Sequence, residues 1–347
     1  MNGIINVYKE KGYTSHDVVA KLRGILKQKK IGHTGTLDPQ AEGVLPVCIG
    51  NATKLCDLLT DKTKEYEAVL LLGVTTDTQD TTGAVLSEKT VQVEEDKLRA
   101  IMEGFVGKSR QIPPMYSALK VNGKKLYELA REGREVERKP RDIEIFSLDI
   151  LEMQLPRVRF RVHCSKGTYI RTLCQDIGEE AGCGGCMEEL LRTRVDRFSL
   201  AEAHKLSEIE QIRDAGKLSE ILIPVDQMFL SYPKVTVLEK YRLALANGNS
   251  FTAQMLADMD PADVKAADMV GTADNTGKAD REVTKAAQIH DGSFVRVYSA
   301  EDVFYGIYQY TQAEKRFIPY KMFLPQENRT DKGNENEDNS RNNGFYN

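Results

Sequence analysis

No segment of this chain is apolar enough to cross a bilayer: the longest apolar runs, such as residues 68–72, fall far short of the ~20 residues that a membrane helix needs. The amino terminus offers Ile4, Ile5 and Val7 and then turns charged at Lys9, Glu10 and Lys11, which leaves no apolar core of signal-peptide length. A soluble, cytoplasmic protein is expected, with no membrane partner. In a reducing compartment its six cysteines are expected as thiols. Tryptophan is absent altogether, which excludes nothing. Positive charge is not in excess either. With 48 Lys plus Arg against 52 Asp plus Glu the net charge is −4, so a nucleic-acid partner must be sought in how charge is distributed, not in its sum.

What is present is an ordinary globular balance, 41% hydrophobic and 29% charged, over 347 residues, enough for two domains. Residues 108–171 hold 15 Lys plus Arg against 8 Asp plus Glu. That local surplus suits contact with phosphate.

The pattern along the chain alternates helix and strand signals. Thr14-Ser15-His16-Asp17 reads as a capping box before a helix with apolar Val18, Val19, Leu22, Ile25 and Leu26. The run from Gly32 to Pro39 is too rich in Gly, Thr and Pro for helix or central strand and is expected as an ordered loop. Residues 44–49 suggest a strand that Pro46 demotes to an edge or irregular position. Residues 65–73 predict a clearer strand, followed by a loop over residues 77–83. Residues 111–141 read as an excursion from the core, with Asn122-Gly123 and a short helix near residues 126–130. Residues 157–164 alternate strictly, Val158, Phe160, Val162 and Cys164 against Arg157, Arg159, Arg161 and His163, which predicts one core face and one cationic face. A helix with Ile170, Leu173, Cys174 and Ile177 follows. Beyond residue 230, short strands over residues 234–237, 292–297 and 303–310 predict a small β-domain. Residues 252–289 read as an acidic insertion and residues 326–347 as a disordered tail.

Asp38 precedes Pro39 in the glycine-punctuated loop, an arrangement that can hold a carboxylate out of the core. Judged alone, an Asp-Pro pair is more often a turn former. His33 and Asp38 supply one imidazole and one carboxylate, with Glu42 the other nearby acid, a weak set for a metal. Cys183 and Cys186 stand at Cys-x-x-Cys spacing, but Cys164 and Cys174 are not paired at knuckle spacing and fall on apolar faces, so core thiols are favoured over zinc ligands. No metal site is expected.

The run Gly32-His33-Thr34-Gly35-Thr36-Leu37-Asp38-Pro39-Gln40-Ala41-Glu42-Gly43-Val44-Leu45-Pro46 resembles the catalytic motif of the TruB family, whose members isomerise uridine 55 in the T-loop of tRNA. The similarity extends through Lys64-Glu65-Tyr66-Glu67, Thr76-Asp77-Thr78-Gln79-Asp80, the segment from Ile112 to Lys120, the segment from Ser165 to Thr172, and Leu190-Leu191-Arg192-Thr193-Arg194. It covers roughly residues 3–230 and persists more weakly into a final domain similar to a PUA module. The resemblance implies an α+β fold: a pseudouridine synthase domain over residues 1–230 with a central, largely antiparallel mixed sheet and a thumb at about residues 108–141, then a PUA-like β-barrel over residues 231–325.

By the same resemblance Asp38 is the catalytic aspartate, Tyr66 stacks on the target base and Arg171 partners the aspartate. Leu190, read as helical, walls the uridine pocket, and His33 fills or props the gap left by the extracted nucleotide. Tyr169 and Lys54 support the site. Lys120, Lys124, Lys125, Arg131 and Arg134 would give the thumb its RNA contacts. Isomerisation exchanges no electrons and adds no external group, so no cofactor is implied; tRNA is the expected partner, and a monomer with no obligate protein partner is expected. The chain departs from the family at Tyr8-Lys9-Glu10, where many members read Asp-Lys-Pro. Competing readings are a guided synthase of box H/ACA particles, a non-catalytic RNA-binding or RNA-folding protein, and a zinc-dependent RNA module.

Overall fold

The computed structural model describes residues 1–60, 62–259 and 289–324, which divide into two compact units, Met1–Pro224 and Val225–Asn347. The first unit contains, in chain order, β1 (Gly3–Lys9), β2 (Ile31–His33), β3 (Glu42–Ile49), β4 (Lys64–Leu72), β5 (Val74–Thr76), β6 (Val85–Glu88), β7 (Gly107–Gln111), β8 (Lys120–Val121), β9 (Lys124–Lys125), β10 (Arg141–Gln154), β11 (Arg157–Cys164), β12 (Gly185–Val195) and β13 (Phe198–Ser199). One mixed sheet runs β1-β3-β12-β4-β11-β10-β7, with β2 beside β3 and β13 beside β12. All pairings in it are antiparallel except β12 with β3. The α+β class and the largely antiparallel sheet match the expectation.

Local chemistry accounts for the first helix. In α1 (Ser15–Leu26) the Thr14 hydroxyl accepts from the Asp17 amide at 3.0 Å, and the Asp17 carboxylate accepts from the Thr14 amide at 2.8 Å, closing the capping box. Val18, Val19, Leu22 and Leu26 then share a core with Ile5, Val7, Leu45 and Val47 of β1 and β3. A second core gathers Tyr66, Ala68 and Leu70 of β4, Phe160 and Val162 of β11, and Ile170, Leu173 and Ile177 of the later helix Ile170–Glu180.

Two strand expectations are corrected. Pro46 lies inside the sheet, since β3 has β1 on one flank and β2 and β12 on the other. The Pro46 carbonyl accepts from the Thr34 amide at 3.2 Å, so its nitrogen faces that same flank, in the gap between the β2 pairing at residues 47–49 and the β12 pairing at residues 42–43. There the Thr34 carbonyl, which the proline nitrogen cannot serve, takes its hydrogen bond from the Thr60 hydroxyl at 3.0 Å instead. Leu190, expected in a helix, sits on β12. Register shifts at Met187/Glu189 and Arg192/Arg194 interrupt the alternation that would have marked the strand.

The cationic face of β11 is corrected as well. Arg157 pairs with Glu188 at 2.7 Å, Arg159 with Glu189 at 3.3 Å and Arg161 with Glu67 at 2.7 Å. Glutamates on the adjacent strand β4 and on β12 beyond it thus turn the row of arginines into a mixed ladder.

Residues 112–140 leave the sheet between β7 and β10. Within them Asn122 (φ 51°) and Gly123 (φ 85°) turn β8 into β9, the left-handed pair that a tight two-residue hairpin demands. A short helix, Leu126–Arg131, follows and buries Leu126 and Leu129.

The second unit carries β14 (Lys234–Val237), β15 (Phe251–Thr252), β16 (Leu256–Met259), β17 (Phe294–Tyr298), β18 (Phe304–Thr311) and β19 (Arg316–Met322), in the sheet order β15-β19-β18-β17-β14-β16. The unit begins before residue 231: Phe229 packs on Phe304 and Phe323, and the Tyr298 hydroxyl donates to Asp226 at 2.7 Å. The acidic insertion starts later than expected, because β15 and β16 take Thr252 and residues 256–259 into the sheet, with a 3-10 turn, Ala253–Met255, between them. The rest of that insertion up to residue 288, and the tail over residues 326–347, lie outside the described residues. Among the described residues no helix is long and apolar enough to cross a membrane.

Candidate active site

A cleft of about 1030 Å³ opens on the first unit, lined by Asp38, Tyr66, Tyr169, Arg171, Leu190 and Arg192 among others. The loop between β2 and β3, strand β4, the start of the helix Ile170–Glu180 and strand β12 bring these residues to it, and β7, β10 and the thumb complete its lining. Asp38 and Arg171 are 133 residues apart in sequence.

Their contact is a two-bond fork. Arg171 Nε lies 2.9 Å from Asp38 Oδ2, and Nη2 donates to Oδ1 at 3.3 Å. The rest of the guanidinium is also engaged, Nη1 donating to the Thr78 carbonyl at 3.0 Å and Nη2 to the Tyr116 carbonyl at 2.8 Å. Arg171 is buried at 5% side-chain exposure, whereas Asp38 keeps 37% and faces the cleft. Planar bidentate pairing of this kind fixes a carboxylate in orientation as well as in charge. Asp80, with Oδ2 3.8 Å from Arg171 Nη1, is a second acid on the same arginine, held by the hydroxyls of Thr78 and Thr82.

Burial pushes the Asp38 carboxyl up from the ordinary aspartate range; Arg171 pulls it back down and Asp80 adds to the rise. Water reaching the exposed part of the side chain tempers the effect of burial. Burial likewise raises the Tyr66 phenol against the opposing pull of Arg192. His33 is pushed down, first by burial and then by the Arg192 charge, and so is neutral near pH 7. Its Nδ1 accepts from the Gly35 amide at 3.4 Å, which leaves the proton on Nε2.

The structure therefore brings Asp38, Tyr66, Tyr169, Arg171 and Leu190 to one cleft. His33 sits beside it at the end of β2, behind the loop. Lys54 is not among the lining residues and lies exposed on a 3-10 turn, Gly50–Leu55. The thumb residues Lys120, Lys124, Arg131 and Arg134 are exposed and Lys125 partly so; Glu132 takes up part of their charge, 3.2 Å from Lys124 and 3.5 Å from Arg134. Gln111 binds the thumb's base to the site, its amide donating to the Tyr169 carbonyl at 3.0 Å and accepting from the Tyr169 amide at 2.8 Å.

Three residues escaped the sequence reading as parts of the site. Arg192 is fully buried under the loop, Asp80 shares Arg171, and Lys9 donates to the carbonyls of Ala41 at 2.6 Å, Pro39 at 3.1 Å and Glu10 at 3.2 Å. Burial lowers the Lys9 amine to about 8. The signal for Lys9 was the first charge after an apolar run, and for Arg192 a charged residue just after two leucines; neither marks a site without its partners. Cys164, Cys174 and Cys183 lie within the second core, and Cys186 is buried too. Burial pushes Cys164 to about 12 and Cys186 to about 11, which keeps these thiols protonated.

Residues 23–170 match a family model described as TruB family pseudouridylate synthase (N terminal domain), and residues 171–230 one described as tRNA pseudouridylate synthase B C-terminal domain. The tRNA pseudouridine synthase B of Lachnoclostridium phytofermentans is 53% identical over 337 residues, spanning 93% of this chain and 100% of that protein. Its counterpart in Alkaliphilus oremlandii is 48% identical over 258 residues, 74% of this chain and 85% of that protein. Among solved structures, an H/ACA RNP bound to a substrate RNA containing 2'-deoxyuridine aligns with a TM-score of 0.62 at 25% identity, covering 94% of this chain and 86% of that one. A Cbf5-Nop10-Gar1 complex aligns at 0.63 and 27%, covering 93% and 85%.

Proposed function

Because the chain belongs to the TruB family of pseudouridine synthases, we propose that it converts uridine to pseudouridine in the T-loop of tRNA, at position 55, with Asp38 as its catalytic carboxylate. The observation that carries this reading is the Arg171 fork on Asp38, in a cleft that Tyr66 and Leu190 also line. The reaction breaks the N1–C1′ bond, turns the base and joins C5 to C1′. C5 gives up a proton and N1 gains one, so electrons and atoms balance within the substrate.

Asp38 acts only when ionised, and the guanidinium favours that form. The same carboxylate serves attack on the sugar, addition to the base, or departure of the base through a glycal. The target nucleotide must first swing out of the T-loop, at a cost of about a few kcal/mol. Tyr66 offers a stacking plane that offsets part of this, and Leu190 a dry wall that retains the detached uracil. Neutral His33 props the space the nucleotide leaves, and Tyr169 supports the site. The thumb, through Lys120, Lys124, Lys125, Arg131 and Arg134, holds the arm of the tRNA by its phosphates and shape. The second unit acts as a PUA-like RNA contact.

The protein works as a cytoplasmic monomer that needs no obligate partner protein. Full-length similarity to a tRNA pseudouridine synthase B at 53% identity, against 25–27% to the H/ACA structures, favours the stand-alone enzyme over the guided one.

Incubation with an unmodified tRNA transcript, followed by mapping of pseudouridine, tests the proposal. Asp38→Asn is expected to bind the transcript with wild-type affinity and to lose roughly 10³-fold or more in rate. Continued turnover by that variant would remove Asp38 from the chemistry.

A further inference from the structure

We propose that Arg192 is a positioning residue for this reaction: its buried guanidinium holds Tyr66 and both shoulders of the Asp38 loop in a single register. The inference rests on the pseudouridine synthase reading above and extends it to a side chain that reading leaves without a role.

Arg192 is only 1% exposed and heads the fully buried side chains by volume. Its partners are all neutral. Nε donates to the Val44 carbonyl at 2.7 Å, Nη2 reaches the Gly35 carbonyl at 3.5 Å, and the residue stands directly across from Tyr66 in the β12–β4 ladder. Among the described residues no carboxylate pairs with it. A buried cation without a counter-ion is costly to keep, so packing volume alone is a poor account of an arginine here.

The geometry supplies a better one. Gly35 lies three residues before Asp38 and Val44 six after it, so one planar group ties the entry and the exit of the catalytic loop to the ring that stacks on the base. The backbone of Arg192 reinforces the tie, standing opposite Gly43 in the parallel β12–β3 pairing. Gly43 has φ +104°, and a Cβ there would run into the Arg192 main chain. Arg171 thus sets the orientation of the carboxylate, while Arg192 sets where that carboxylate stands relative to Tyr66.

Lysine at this position keeps the charge but loses the fork; methionine keeps the bulk and loses both. The test compares Arg192→Lys and Arg192→Met with wild type for single-turnover pseudouridine formation, tRNA affinity and thermal melting. Both variants are expected to slow the chemical step about 10- to 100-fold while affinity changes less than about twofold. A lysine variant with a wild-type rate would show that charge alone suffices and overturns the proposal. So would a loss of affinity that parallels the loss of rate, or a lysine variant that no longer folds, since either makes Arg192 a component of the scaffold only. Wild type in the same assay separates the two levels. If it makes no pseudouridine, the functional reading fails; if it does and Arg192→Lys matches it, only this inference fails.

Discussion

As the proposed catalytic carboxylate, Asp38 has conflicting demands placed on it, for it must be ionised to act and yet sit where a base can be shielded from water. Burial raises its pKa, Arg171 opposes the rise, and Asp80 competes for the same guanidinium. The sign of the pH dependence follows. Activity needs the charged form, so it is lost as pH falls through a folded-state pKa that lies above the ordinary aspartate value of about 3.9. The acid limb of single-turnover rate against pH is therefore expected above that value, and Arg171→Met is expected to move it higher still. A limb at or below the ordinary value would mean that the ion pair outweighs burial. At this scale Asp38, Tyr66 and Arg171 were legible as residue types in recognisable runs. Lys9 was not, because its importance lies in three carbonyls that fold back onto it from residues 10, 39 and 41.

Elements place these side chains, and here local sequence and structure part company in instructive ways. Strand β4 and the capped helix α1 follow their periodicity closely, since each buries one uniform face. Strand β12 hides its nature because its two register shifts change which side chains face the core partway along, so Leu190 can reach the cleft from a strand whose pattern reads as irregular. The row of arginines on β11 was expected as a cationic face, which the glutamates of β4 and β12 neutralise in part. In the proposed function the binding of phosphate therefore falls to the thumb, whose cations are only partly matched by Glu132. Replacing Lys120 and Arg131 together by alanine is expected to weaken tRNA binding and to flatten the plot of log affinity against log salt by about one to two units, at roughly 0.7–0.9 for each phosphate left unneutralised. An unchanged slope in filter-binding titrations would take these residues out of the interface.

At the scale of the whole molecule, the order of strands in the main sheet is what builds the site. The chain lays β12 between β3 and β4, and so brings residues 190–192 against both the Asp38 loop and Tyr66. Gly43 is the point of closest approach. Gly43→Ala asks a residue with a Cβ to adopt φ +104° against the Arg192 backbone and is expected to cost about 2–4 kcal/mol in urea unfolding. A loss below about 0.5 kcal/mol would mean that β3 and β12 can part without consequence. The sequence alone determined the loop that carries Asp38 and the presence of a second β-rich unit, because glycines, a proline and a carboxylate at close spacing specify a loop with little help from elsewhere, while the fold class and the reaction came from its resemblance to the TruB family. Only the tertiary structure decided which arginine clasps the aspartate's loop, which acid shares Arg171, and which cations are neutralised. Those choices are made between residues scores of positions apart, where sheet order and register, not local pattern, decide which side chains meet.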